Sequence, residues 1–212
     1  AKKCEEEMKE AGLGYHFPLL FGADTKKIWT LRKAGLGLLG NLPGDEKAVP
    51  VIEDTAVDAK DLPAYIADMN VLLKQHGLYS VHYAHAGSGE IHLRPYLDLK
   101  TSDGVRLFRV MAEETAKLVK KYDGSLSGEH GDGRLRGEFI PQMIGKKNYE
   151  LIKDLKKVWD PENVFNPGKI VGTPPMDTNL RYQRDQETNS FETILDFSDT
   201  LGILRAAEQC NG

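Results

Sequence analysis

The chain has 212 residues, 40% of them apolar and 28% charged, with 28 Lys+Arg against 32 Asp+Glu for a formal net charge of −4. That composition excludes collagen-like, coiled-coil and disordered chains, and basic residues in no block longer than a pair argue against a nucleic-acid partner. A chain of this length buries roughly 70% of its unfolded surface, so one or two domains can fold without a metal or disulfide as a staple.

The two cysteines, Cys4 and Cys210, stand at opposite ends of the chain. This fits a reducing, cytoplasmic compartment better than an oxidised secreted scaffold. No apolar run approaches the roughly 20 residues that span a bilayer, and the opening Ala1-Lys-Lys-Cys-Glu-Glu-Glu7 lacks the apolar core of a signal peptide. Any membrane association is therefore expected to be peripheral. The chain does not start with Met and ends abruptly at Cys210-Asn-Gly212, so a fragment of a longer protein is expected.

In chain order, residues 1–47 suggest a leading helix and a second one over about 28–39, broken by Gly35 and Gly37. Residues 48–57 are rich in β-branched side chains and read as a first strand. Leu62, Tyr65, Ile66, Met69, Leu72 and Leu73 repeat at helical spacing behind Asp61 and Pro63, and Gly77 stops that helix. A second strand over 78–84, a turn through Gly87 and Gly89, and a third strand over 90–96 form a hairpin. Thr101-Ser-Asp then starts a helix whose buried stripe runs from Val105 to Val119 and which ends at Gly124, and 125–127 is a short fourth strand. The order βαββαβ predicts an α+β fold, a ferredoxin-like (split βαβ) antiparallel sheet with both helices on one face and the other face open. A further helix over 148–158 closes at Asp160-Pro161, and 172–189, with Pro174-Pro175, reads as an extended tail.

The chemistry concentrates in two stretches, His85-Ala-Gly-Ser-Gly-Glu-Ile-His92 and Ser127-Gly-Glu-His130-Gly-Asp-Gly133. Two histidines and a glutamate, His85, His92 and Glu129, are a donor set suited to Zn²⁺ or a similar divalent ion that keeps an open position for substrate. His130 adjoins Glu129, and an imidazole that titrates near neutrality is a natural proton acceptor. Strand alternation places Glu90, His92 and Arg94 on the open face and Ile91 and Leu93 against the helices, with His82 structural. In an ideal split βαβ sheet the hairpin and the end of the fourth strand lie at opposite edges, so convergence of these residues requires a bend or bulge. Arg32, within Trp29-Thr-Leu-Arg-Lys33, is a candidate for gripping a carboxylate through paired hydrogen bonds. The same donors would serve a metal-dependent hydrolase, and without a metal the fold could be a non-catalytic interaction domain. An RNA-binding sheet would need exposed aromatics on the open face.

Taken together, Ile28-Trp-Thr-Leu-Arg32, Ile52-Glu-Asp-Thr-Ala-Val57, His85 to His92, Ser127-Gly-Glu-His-Gly-Asp-Gly133 and Asp160-Pro-Glu-Asn-Val-Phe-Asn-Pro-Gly-Lys169 resemble the C-terminal substrate domain of FAD-linked 2-hydroxy-acid dehydrogenases. That family includes D-lactate dehydrogenases, the glycolate oxidase flavin subunit and D-2-hydroxyglutarate dehydrogenase. The resemblance implies a metal held by His85, His92 and Glu129, His130 as base, and Arg32, helped by Arg94, on the carboxylate of a small D-2-hydroxy acid. It implies that Asn166 and Lys169 bind the flavin cofactor. The family's usual His-x-Gly-Asp-Gly-Asn-x-His is altered here, with Ser88 and Glu90 where Asp and Asn are common. The His92-Leu-Arg-Pro run and the ending resemble a long subgroup fused to an iron–sulfur region. Residues 1–171 are then the substrate domain, and 172–212 a tail and helix leading to a 4Fe–4S segment that a lone Cys210 cannot build. The FAD-binding domain is expected as a covalent partner outside this stretch, and the surface it leaves exposed could drive self-association.

Overall fold

A computed structural model describes residues 2–209, apart from the Leu36 side chain. The chain forms two compact units, one ending at Asn41 and one beginning at Leu42. The first unit holds α1 (Lys2–Glu10) and α2 (Thr25–Gly40). The expected break at Gly35 and Gly37 does not occur, because α2 runs on to Gly40. Gly35, Gly37 and Gly40 do fall at the G-x-G-x-x-G spacing of a pyrophosphate-binding turn. They lie inside a helix, however, and among the described residues no strand precedes it, so the context such a turn needs is missing.

The second unit is an antiparallel sheet with helices packed on it. The stretch expected as one first strand is split into β1 (Lys47–Ala48) and β2 (Ile52–Ala56). α3 (Leu62–Gln75) follows, then the hairpin of β3 (Ser80–His85) and β4 (Glu90–Leu97), then α4 (Ser102–Lys121). β4 is central and pairs antiparallel with β1, β2 and β3. The expected fourth strand is reduced to one antiparallel bridge between Ala56 and Ser125. This frees the chain from residue 126 onward to leave the sheet and turn.

Sequence explains the helices locally. Thr101 caps α4 by accepting a hydrogen bond from Gly104 N at 3.0 Å. Its stripe of Phe108, Met111, Ala112, Ala116 and Val119 is buried in one cluster with Ile91 and Leu93 of β4 and Tyr65 and Met69 of α3, and Val105 is buried as well. Tyr65 satisfies its hydroxyl with Thr55 Oγ1 at 2.9 Å, so the core carries this polar group without an unmet bond. His82 leans on α3, with Nε2 3.1 Å from Asn70 Oδ1, which accounts for it structurally.

Beyond α4 lie α5 (Ile140–Ile144), absent from the sequence expectation, and α6 (Lys146–Trp159). The tail is pinned rather than loose. Asp177 accepts from Arg109 Nη2 at 2.8 Å, Asp185 accepts from Ser102 N at 2.9 Å, and Asp45 binds Arg205 of α7 (Ile203–Glu208). Cys210, the residue expected to lead toward a cluster, lies outside the described residues. Among the described residues no helix is long and apolar enough to cross a membrane.

Candidate functional site

β2 departs from regular pairing at one residue. Glu53 is opposite His92 and Thr55 is opposite Ile91, so Asp54 is an extra residue in a bulge, with φ of 82°. A regular strand would send Asp54 toward the helices. The left-handed backbone, which Asp tolerates better than bulky residues, instead turns it to the face carrying His92. There it organises the turn that follows the lost fourth strand. Its carboxylate accepts from Ser127 Oγ at 2.6 Å, Glu129 N at 2.9 Å and His130 N at 3.0 Å, and its carbonyl accepts from Gly128 N at 2.7 Å. This is the bend that convergence required. Burial pushes the Asp54 carboxyl up, but the Ser127 hydroxyl and the Glu129 and His130 amides outweigh it and hold it below the ordinary carboxylate range.

The bulge brings residues from both chemical stretches together. His85 Nε2 and His92 Nε2 each lie 3.7 Å from the same Glu129 oxygen, and His130 Nε2 lies 3.4 Å from it. The His92 ring sits between the His85 ring, edge-on at 5.2 Å, and the His130 ring, stacked at 5.3 Å. His85, His92 and Glu129 offer donor atoms all within 4.8 Å of one another. Two ligands of a tetrahedral ion, each about 2.1 Å from it, stand about 3.4 Å apart. The 3.7 Å spacings are too long for hydrogen bonds and close to that ligand separation.

The floor of the site is buried and the rim is open. His92 and Glu90 are 3% and 6% exposed, whereas the side chains of His85 and Glu129 are about half exposed. Burial holds the His92 imidazole below its usual range, against the pull of Glu53, which favours the neutral form that a metal ligand requires. Burial, then a hydrogen bond with Asp54 and the charge of Glu129, push the Glu90 carboxyl up. Three buried side-chain atoms among the described residues lack a hydrogen-bond partner, and two of them are here, Glu90 Oε1 and His92 Nδ1. Of the two, Glu90 Oε1 lies beside the donor cluster, 3.5 Å from His92 Nε2, whereas His92 Nδ1 faces Glu53 at 3.8 Å on the other side of the ring.

Beneath His92 lies a network that sequence reading missed. Glu53, 5% exposed, accepts from Tyr83 Oη at 2.6 Å and pairs with Arg94 Nη2 at 2.7 Å, while Arg94 Nε donates to Tyr83 Oη at 3.1 Å. Arg136 donates to the Glu53 and Gly131 carbonyls, joining β2 to the turn beyond His130. The clue was the pair Glu53-Asp54 inside a run of β-branched residues, two acids where a buried strand has no reason to carry them.

The structure thus gathers His85, His92, Glu129 and His130, with Arg94 directly below. Asn166 and Lys169 are exposed on the loop after α6, and that loop is tied to the site turn by Ile170 N donating to Gly133 O at 2.8 Å. Arg32 lies exposed on α2, in the first unit.

The profile of the family described as FAD linked oxidases, C-terminal domain, matches residues 1–170. The chain belongs to that family. Among its relatives, a D-2-hydroxyglutarate dehydrogenase of Pseudomonas putida is 42% identical over 144 residues, 68% of this chain and 14% of that protein. Another of that name from Escherichia coli is 33% identical over 190 residues, 90% of this chain and 18% of that protein. A D-lactate dehydrogenase of Archaeoglobus fulgidus is 29% identical over 128 residues, 60% of this chain and 28% of that protein. The chain therefore spans under a third of the length of each of these relatives.

Proposed function

We propose that this domain is the substrate-binding and catalytic portion of an FAD-dependent dehydrogenase that oxidises a D-2-hydroxy acid to the 2-keto acid. The observation that carries it is the meeting of two imidazole nitrogens and one carboxylate oxygen at ligand spacing, in a chain of the FAD-linked oxidase family. His85, His92 and Glu129 would hold a divalent ion such as Zn²⁺ or Mn²⁺, and their donors fit one. Such an ion supplies Lewis acidity toward the α-hydroxyl and a carboxylate oxygen. His130, half exposed at the rim, takes the hydroxyl proton at Nε2, and the Asp54 hydrogen bond to its amide sets where the ring stands. The hydride acceptor is the flavin, held by the protein's own FAD-binding domain.

Arg32 is assigned the substrate carboxylate. Arg94 is better suited to support from below, because releasing it toward a substrate would strand the buried Glu53 without its partner. Asn166 and Lys169 face the flavin side in this reading. The sheet is taken as a split βαβ unit whose fourth strand is worn down to a bridge. The exposed Leu151, Leu155, Val158 and Trp159 of α6 suit contact with the FAD-binding domain. The tail leads toward a 4Fe–4S region, and the enzyme works in the cytoplasm.

The test is steady-state reduction of a dye by the full-length flavoprotein, beginning with D-2-hydroxyglutarate, the acid in the names of the P. putida and E. coli relatives. Arg32→Ala should raise KM, and His130→Ala should lower kcat. Unchanged kinetics in both would sink the assignment.

A further inference from the structure

The Glu90 side chain begins β4, two residues from His92, and its cross-strand neighbour is His85. Alternation therefore puts all three on one face of the sheet. The turn bearing Glu129 passes directly over it: a Cβ on Gly128 would come within 3.0 Å of Glu90 Cγ and Cδ. A side chain at position 128 would press on Glu90 and make it give way by a few tenths of an ångström. Its side chain is 9% exposed, Oε1 has no hydrogen-bond partner, and that oxygen lies 3.5 Å from His92 Nε2.

A carboxylate oxygen buried without a donor is costly unless a positive charge meets it. The 3.5 Å gap to His92 Nε2 is too long for a good hydrogen bond and matches the spacing of two ligands around one ion. Glu90 also offers an oxygen within 4.8 Å of donors on Asp54 and Glu129. We propose that Glu90 is a fourth protein ligand to the ion held by His85, His92 and Glu129, making the site two imidazoles and two carboxylates. This rests on the metal reading above and adds a residue to it. Two carboxylates balance the charge of a divalent ion, and the added oxygen donor shifts preference toward a harder ion, so Mn²⁺ gains relative to Zn²⁺.

The experiment measures Mn²⁺ and Zn²⁺ affinity by equilibrium dialysis and elemental analysis on the wild-type chain, Glu90→Gln and His85→Ala, with melting curves of each metal-free protein. The wild type should bind about one ion per chain. Glu90→Gln should lose at least tenfold in Mn²⁺ affinity and less in Zn²⁺ affinity, while melting no lower than wild type without metal, since the glutamine amide can keep the hydrogen bond to Asp54 and only the unmet oxygen's charge is lost. A merely structural Glu90 would lower the metal-free melting temperature and leave the Mn²⁺/Zn²⁺ ratio alone. Equal affinities in wild type and Glu90→Gln, with His85→Ala weakened, would overturn the fourth ligand and leave the three-residue site standing. No ion in the wild type would overturn both. Should Glu90→Gln fail to fold, a crystal structure of the wild type grown with Mn²⁺ decides, because Glu90 Oε1 beyond coordination distance refutes the assignment.

Discussion

The floor and the rim of the site are built from the same residue types but by different physics. On the floor, Glu53, Asp54, Glu90 and His92 are at most 6% exposed and are fixed by strand pairing, the Asp54 bulge and the Arg94 and Arg136 guanidiniums. On the rim, His85, Glu129 and His130 are about half exposed, and their backbones, not their side chains, are what the fold holds. The rim can therefore change chemically at little cost to folding, whereas the floor cannot. Half-exposed imidazoles and a carboxylate thus stand open to solvent on a base that prevents drift.

That contrast can be broken at several points. The largest effect is expected for Asp54→Ala, which strands a hydroxyl and two amides and removes the acceptor that shapes the turn. Destabilisation of about 3 kcal/mol or more in urea unfolding, with loss of metal binding, is expected. A fully stable Asp54→Ala protein would show that the turn holds itself. Next, Arg94→Gln leaves Glu53 buried with only the Tyr83 hydroxyl and should cost about 3 kcal/mol on the same measurement. His85→Ala tests the rim, and its metal-free unfolding free energy should stay within about 0.5 kcal/mol of wild type while metal affinity falls. If it destabilises as much as Asp54→Ala, the distinction between floor and rim fails.

A local, pH-dependent effect lies away from both. Asp45 is held down at about 2, chiefly by its hydrogen bonds from Arg205, against burial, with Lys100 adding to the pull. A carboxyl lowered on folding stabilises above its unfolded value near 4 and loses that contribution as pH falls toward 2. Partial exposure limits the contribution to about 1 kcal/mol. Asp45→Asn should therefore be slightly less stable than wild type at pH 7, and the gap should close by about pH 2. Amide exchange in α7, which carries Arg205, reads the same loosening locally.

Much of the fold was legible because local rules agreed with the outcome. The α3 and α4 stripes, the Thr101 cap, the Gly77 stop and the β3–β4 hairpin all appeared where spacing put them. The donors His85, His92 and Glu129 were legible too, since their types and order carry the family resemblance. The helix break at Gly35 and Gly37 was misread because glycine weakens a helix by only about 1 kcal/mol and neighbouring residues can carry it through. α4 and α6 mark the limit of pattern reading. Both carry apolar residues at helical spacing, yet α4 buries its stripe in the core while Leu151, Leu155, Val158 and Trp159 of α6 stay exposed.

By itself the sequence determined which elements form, which face of β4 carries Glu90, His92 and Arg94, and which side chains can bind a metal or move a proton. These follow from spacing and side-chain chemistry, which are properties of short stretches. Only the tertiary structure decided that Asp54 would bulge, that the fourth strand would shrink to one bridge, and that Arg94 would be engaged by Glu53. Each of those depends on what a distant segment presents, Ser127 to His130 for the bulge and β2 for the arginine. Pairing energies between segments tens of residues apart, not local preference, settled where the chemistry meets.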